Sequence, residues 1–173
     1  KPAPETPLTA LAVMEVLEEA GLPAGLVNVI PTVDSPAVVA ALLADARVRK
    51  LSFTGSTEVG RLLLEKAAGR VVRCSMELGG NAPFVVFADA DLDAAIEGAL
   101  VAKLRHNAEA CTAANRFYVE APIADAFVAR LAEAMGKLRL GAGLAPGTEL
   151  GPLVNEEQRA RVARLVDAAL RHG

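Results

Sequence analysis

Short β-rich apolar runs alternate along this chain with helix-length segments, and that alternation restricts the possible folds more than any other feature. Residues 50–53 (KLSF), 71–77 (VVRCSME) and 84–87 (FVVF) read as strands, with 26–30 (LVNVI) as an earlier one closed by Pro31. A helical stretch over 57–68 follows the 50–53 run at once. Short apolar strands separated by helices are buried on both faces of a parallel sheet, with the helices as cover. The first part of the chain therefore reads as half or more of an open α/β nucleotide-binding sheet.

Local signals fix the remaining elements. Thr6 with Pro7 at the first helical position opens a helix whose Leu8, Leu11, Ala12 and Val16 keep a 3.6-residue period until Gly21 stops it. Ser35 opens a second helix over about 36–45. A new rhythm begins near Asp89: a helix over 91–104, a loop over 107–114, a strand over 116–120 (RFYVE) and a helix over 123–138. After a Gly- and Pro-rich loop at 141–151, Asn155 caps a last helix that runs to about residue 170. A boundary between two lobes is expected at residues 87–91, dividing the chain into 1–88 and 89–173.

Composition narrows the classes of function. With 18 basic and 21 acidic side chains the net charge is −3, which argues against a nucleic-acid footprint. No apolar run approaches the roughly 20 residues that span a bilayer, and no charged-then-apolar start resembles a signal peptide. The expectation is a cytoplasmic protein. Cys74 and Cys111 do not make a disulfide framework, and His106 and His172 without a Cys/His cluster give no recognisable zinc site. The chain opens on KPAPETP instead of a start methionine and stops just after an amphipathic helix, and so reads as a piece of a longer protein.

Chemistry concentrates between Met76 and Arg116. Glu77 stands at a strand end before Leu78-Gly79-Gly80, where two glycines let the backbone approach a ligand. A single turn glutamate is more often simply solvated. Cys111 lies among Ala108, Glu109, Ala110, Thr112, Ala113 and Ala114, small neighbours that leave room for a substrate and main-chain amides for a developing oxyanion. Most free cysteines are instead inert small hydrophobes, as Cys74 in its strand is expected to be. Arg105, six residues before Cys111, is either a solvated helix end or a grip on a substrate carboxylate. In FTGSTEVG, Gly55 and Ser56 precede a helix N-terminus suited to a pyrophosphate, although the spacing is neither a P-loop nor G-x-G-x-x-G.

Taken in order, KPAPETPLTAL, GLPAGLVNVI, VRKLSFTGSTEVGR, MELGGNAPFVVF, ADLDAAIEGAL, EACTAANRFYVE and GPLVNEEQ resemble the aldehyde dehydrogenase superfamily over essentially the whole chain. The succinate-semialdehyde branch is the nearest in look, because it carries an arginine where Arg105 stands. The resemblance implies Cys111 as nucleophile and Glu77 as general base. It further implies Gly55 and Ser56 at the cofactor phosphates, Leu78 as a main-chain contact on the nicotinamide side, and Lys1 near the adenosine ribose. The implied reaction is thiolate addition to the aldehyde, hydride transfer to the nicotinamide, and hydrolysis of the thioester by water that Glu77 activates. Pro4 occupies the place of an acidic residue that favours NAD, which shifts the expectation to NADP, with NAD as the other possibility. On this resemblance residues 1–88 are part of an NAD(P)-binding domain, residues 89–173 are part of a catalytic domain, and the parent protein is a homo-oligomer.

Departures from the pattern matter as well. The usual glycine three before the cysteine is Ala108, which stiffens the loop, and Ala113 replaces a second cysteine found in some relatives. The family's oxyanion asparagine lies before Lys1 and its second cofactor glutamate after Gly173. Two readings follow: the central piece of an NAD(P)-dependent semialdehyde dehydrogenase, with glutarate semialdehyde or betaine aldehyde as other substrates, or a fragment that is non-catalytic by itself.

Overall fold

The computed structural model describes residues 1–172, a mixed α/β chain that separates into two compact units, Lys1–Glu77 and Leu78–Gly173. The division falls eleven residues earlier than the lobe boundary expected at 88/89. Its cause is the pairing of the third strand, which hydrogen-bonds to a later strand of the second unit.

The first unit contains helix α1 (Pro7–Glu19), helix α2 (Ser35–Ala44), strand β1 (Lys50–Gly55), helix α3 (Thr57–Ala68) and most of strand β2 (Arg73–Leu78). β1 and β2 form a two-stranded sheet, and α3 packs on β1 and touches α2. Leu43, Leu63 and Ala67 are its buried apolar side chains. α3 occupies the expected span because the signals at its ends are unambiguous. Ser56 Oγ accepts from the Val59 N–H at 3.2 Å, and Gly69 follows the last residue. α2 is capped one residue earlier than expected: Asp34 Oδ1 accepts from the Ala37 N–H at 3.1 Å, so Ser35 lies inside the helix. Thr6 precedes α1 but makes no side-chain cap; its N–H donates to the Ala3 carbonyl at 3.3 Å instead. The expected strand at 26–30 is irregular, since a strand exists only through pairing and no neighbour pairs with it among the described residues. The guanidinium of Arg70 donates to the carbonyls of Leu43 and Asp45, satisfying groups that the end of α2 leaves free.

The second unit is built on strand β3 (Ala82–Val86), helix α4 (Leu92–Leu104), strand β4 (Ala114–Val119), helix α5 (Ala121–Gly136) and helix α6 (Glu156–His172). β3 and β4 are parallel and in register from Pro83↔Arg116 to Val86↔Val119, with an irregularity between Ala82 and Pro83. Parallel neighbours need a crossover, which α4 supplies. Asp91 caps α4 by accepting from the N–H groups of Asp93 and Ala94 at 2.9 and 3.2 Å. Leu92, Ala95, Ile96, Ala99 and Leu100 then form one face at helical spacing and pack with Val86 and Phe127. Phe127 is 1% exposed, and its burial contributes about 1.5–3 kcal/mol. The Phe84 and Phe117 rings meet at 5.5 Å between centroids, and those of Phe117 and Phe127 at 6.1 Å, which locks β3, β4 and α5 together. This small core anchors β4, and the loop carrying Cys111 feeds directly into that strand. Among the described residues no helix is long and apolar enough to cross a membrane.

Candidate active site

The second unit places Cys111 on the link between α4 and β4, with its side chain exposed to solvent. Ala113 and Ala114, immediately after it, are buried at 3% exposure each, so one end of the loop is fixed in the core while the thiol faces outward. Against the loop lies the turn Gly79-Gly80-Asn81. A Cβ at position 80 would overlap the carbonyl oxygen of Cys111, whereas one at Gly79 would meet nothing within 4 Å. Gly80 is therefore a glycine for close approach and Gly79 is not.

Side chains at the start of β4 clamp the same turn. Asn115 Nδ2 donates to the Gly80 carbonyl at 3.4 Å, and its Oδ1 accepts from Lys103 Nζ at 2.6 Å. Arg116 donates through Nε and Nη2 to the Asn81 carbonyl at 3.1 and 2.7 Å. Residues that look like ordinary strand polarity thus brace the backbone around the thiol.

Ahead of Cys111, His106, Asn107 and Ala108 all hold left-handed backbone, with φ of 52°, 61° and 64°. None is glycine, and such geometry costs an L-residue about 1–2 kcal/mol. Ala108 stands where the resemblance expects glycine, so its stiffening of the loop has a concrete form: a Cβ in a backbone region that disfavours it. Asn107 is half-buried and reaches out of the loop to Gly151 and Pro152. Nothing in the spacing of the sequence points to that link, because its partners are 44 and 45 residues away.

Arg105 caps α4 at its C-terminal end and is exposed. Its Nη2 donates to Thr112 Oγ1 at 3.3 Å, which keeps the guanidinium beside the residue that follows Cys111. The second unit thus brings together Cys111, Gly80 and Arg105. Leu78 ends β2 half-buried, and Glu77, the exposed residue before it, closes the first unit.

Of the candidate cofactor residues, Lys1, Pro4, Gly55 and Ser56 lie in the first unit, whereas Leu78 opens the second. Ser56 is exposed, and its hydroxyl accepts from Val59, leaving its own hydrogen free to donate outward. The first turn of α3, Thr57 to Val59, is exposed; with the Val59 N–H taken by Ser56, the main-chain N–H groups of Thr57 and Glu58 are the donors left for a pyrophosphate. Gly55 has a local reason to be glycine, since a Cβ there would overlap the ring of Phe53. Pro4 lines a shallow cleft with Ala3, Pro7, Pro31, Thr32 and Val33, and Lys1 is exposed beside that stretch of chain.

The second unit thus carries an exposed thiol on a braced loop with an arginine beside it, and the first unit a strand–helix turn with main-chain donors. The sequence profile of the aldehyde dehydrogenase family matches residues 1–173, and the chain belongs to that family. It is 51% identical over 173 residues to the succinate-semialdehyde dehydrogenase of Paenarthrobacter nicotinovorans, a match covering all of this chain and 38% of that protein. Identity to the glutarate-semialdehyde dehydrogenase of Pseudomonas putida is 48% over 173 residues, again covering all of this chain and 36% of the relative. Among solved structures, an NADP-dependent enzyme of E. coli superposes with a TM-score of 0.94 at 48% identity, over 99% of this chain and 36% of that one. The chain thus spans 36–38% of the length of these relatives.

Proposed function

We propose that the full-length protein containing this chain oxidises succinate semialdehyde to succinate, with NADP as the favoured cofactor and NAD as the alternative. The observation that carries the substrate is Arg105, a guanidinium held next to the Cys111 loop by Thr112 and suited to a bidentate grip on a carboxylate. Likeness to succinate- and glutarate-semialdehyde dehydrogenases supports a substrate with an aldehyde at one end and a carboxylate at the other.

In this reading the Cys111 thiolate adds to the aldehyde carbon and forms a carbon–sulfur bond, while the carbonyl oxygen takes the negative charge. Bound NAD(P) supplies the two-electron acceptor that converts this adduct to a thioester. Glu77 then takes a proton from water, whose oxygen attacks the thioester carbon; the carbon–sulfur bond breaks and the carboxylic acid leaves. Aldehyde, water and oxidised cofactor go in, and acid, reduced cofactor and a proton come out. Gly55, Ser56 and the start of α3 would hold the cofactor phosphates, Leu78 the nicotinamide side, and Lys1 the adenosine ribose. Pro4 offers no carboxylate to repel a 2′-phosphate, which favours NADP. On this scheme residues 1–88 are part of the NAD(P)-binding domain, which also carries Glu77, and residues 89–173 are part of the catalytic domain with Cys111 and Arg105. The protein works in the cytoplasm, where free thiols persist, and assembles as a homo-oligomer.

The experiment is a substrate panel on the full-length enzyme beside its Arg105→Ala variant. The variant is expected to raise KM for succinate semialdehyde at least about tenfold, the loss of a charge-assisted pair of roughly 1.5–3 kcal/mol, and to leave an uncharged aldehyde nearly unaffected. Equal changes for both would remove Arg105 from substrate selection. Glutarate semialdehyde, one methylene longer, is the second reading, and the same panel ranks it.

A further inference from the structure

Three successive non-glycine residues in left-handed backbone, His106 to Ala108, lie just ahead of the proposed nucleophile, separated from it by Glu109 and Ala110. A run of this kind persists only where its surroundings over-determine it. The loop's own hydrogen bonds are local: Ala108 N–H donates to the Leu104 carbonyl at 3.2 Å, and Glu109 N–H to the His106 carbonyl at 3.0 Å. Asn107 alone in the run carries a side chain that reaches distant backbone. Its Oδ1 accepts from the Gly151 N–H at 2.6 Å, and its Nδ2 donates to the carbonyls of Gly151 and Pro152, both at 3.2 Å.

The anchor is itself held. Leu140 and Leu150 form a parallel bridge, the Gly141 N–H donates to the Leu150 carbonyl at 3.2 Å, and the Glu149 N–H to the Arg139 carbonyl at 2.9 Å. Gly151 also passes close by Asn107, since a Cβ on it would lie 3.5 Å from Oδ1.

We propose that Asn107 is a positioning residue. Its carboxamide, clasped to Gly151 and Pro152, holds 106–108 in the left-handed conformation and so fixes where Cys111 presents its sulfur. The inference rests on the reading of Cys111 as nucleophile. A simpler role competes with it: asparagine tolerates left-handed backbone better than most residues, and could serve there for that reason alone.

Asn107→Gly separates the two roles in the full-length enzyme, because glycine adopts the backbone freely but cannot make the clasp. The clasp predicts that Asn107→Gly and Asn107→Asp both lose kcat by about 10–100-fold, with KM shifting much less, and that both slow alkylation of Cys111 by iodoacetamide. Asp keeps the size and the acceptor but cannot donate to the two carbonyls. Retention of normal kcat and alkylation rate by Asn107→Gly would overturn the proposal. In the unaltered enzyme the Gly151 amide should exchange slowly with deuterium, and exchange at an open-loop rate would overturn the clasp whatever the variants do. Cys111→Ala run alongside keeps the two readings apart: an active Cys111→Ala enzyme refutes the nucleophile, whereas an inactive one beside a fully active Asn107→Gly refutes only the clasp.

Discussion

Gly80 and Cys111 meet backbone to backbone, with the carbonyl oxygen of Cys111 in the space that a side chain at position 80 would need. Gly80→Ala must therefore push the Cys111 loop outward, and the contact is with main chain, which cannot swing aside. The expected cost is about 1–3 kcal/mol of stability together with a fall in kcat. Gly79→Ala, facing open space, should cost far less stability. Thermal unfolding of both variants checks the contrast; equal losses would show that the turn, and not the contact, is what matters.

Glu77 and Cys111 are predicted to fail at different steps. Cys111→Ala should abolish turnover with no burst of reduced cofactor. Glu77→Gln should still give a burst close to one equivalent per site, with steady-state turnover reduced about 10²–10⁴-fold, the range of general base catalysis. Rapid-mixing absorbance at the reduced cofactor's band distinguishes the two, and loss of the burst in Glu77→Gln would assign the glutamate to an earlier step.

Ala108 holds φ at 64°, where its Cβ is disfavoured. Ala108→Gly relieves about 1–2 kcal/mol in the folded state and gives back about 0.4–1 kcal/mol through a freer unfolded chain. A net stabilisation of up to about 1.6 kcal/mol is expected in urea unfolding. Net destabilisation would mean that the methyl group packs more usefully than its backbone geometry suggests.

The anchor of Asn107 should loosen in acid. Glu149 accepts from the Arg139 main-chain N–H at 3.1 Å and from its Nε at 3.3 Å, and these bonds hold its carboxyl below the ordinary glutamate range. A carboxyl lowered by folding contributes its stability above the ordinary glutamate pKa and loses it as pH falls through the depressed folded value. Hydrogen exchange at Gly141 and Leu150 should quicken as pH drops through that window, after correction for intrinsic rates. No change there would place the strength of the 139–150 closure in its backbone bonds alone.

How far the structure could be read from sequence depended on how local each cause was. Ser56, Gly69 and the apolar spacing between them encode α3 within its own length, and its span emerged intact. The run at 26–30 has strand composition, but pairing is supplied by a neighbour, and none pairs with it here. Cys111, Glu77 and Arg105 stand out in the sequence as candidates because a thiol, a carboxylate and a guanidinium are conspicuous in a stretch rich in glycine and alanine. The clasp of Asn107 on Gly151 was invisible, since an asparagine in a polar loop looks the same whether or not a distant backbone meets it. Gly80 was half legible: its freedom from a side chain was evident, but not which oxygen fills the space.

The crossover from β3 through α4 to β4 has one more consequence, which concerns chain length. Phe117 and Val119 face the core while Arg116 and Tyr118 face away, and the segment between Arg105 and Ala114 alone sets where that alternation begins. Removing or adding a single residue there would either tear the loop from its braces or turn β4 over, driving Arg116 and Tyr118 toward Phe127. The stretch around Cys111 can therefore accept hardly any change in its count of residues: it works as a ruler as much as a holder.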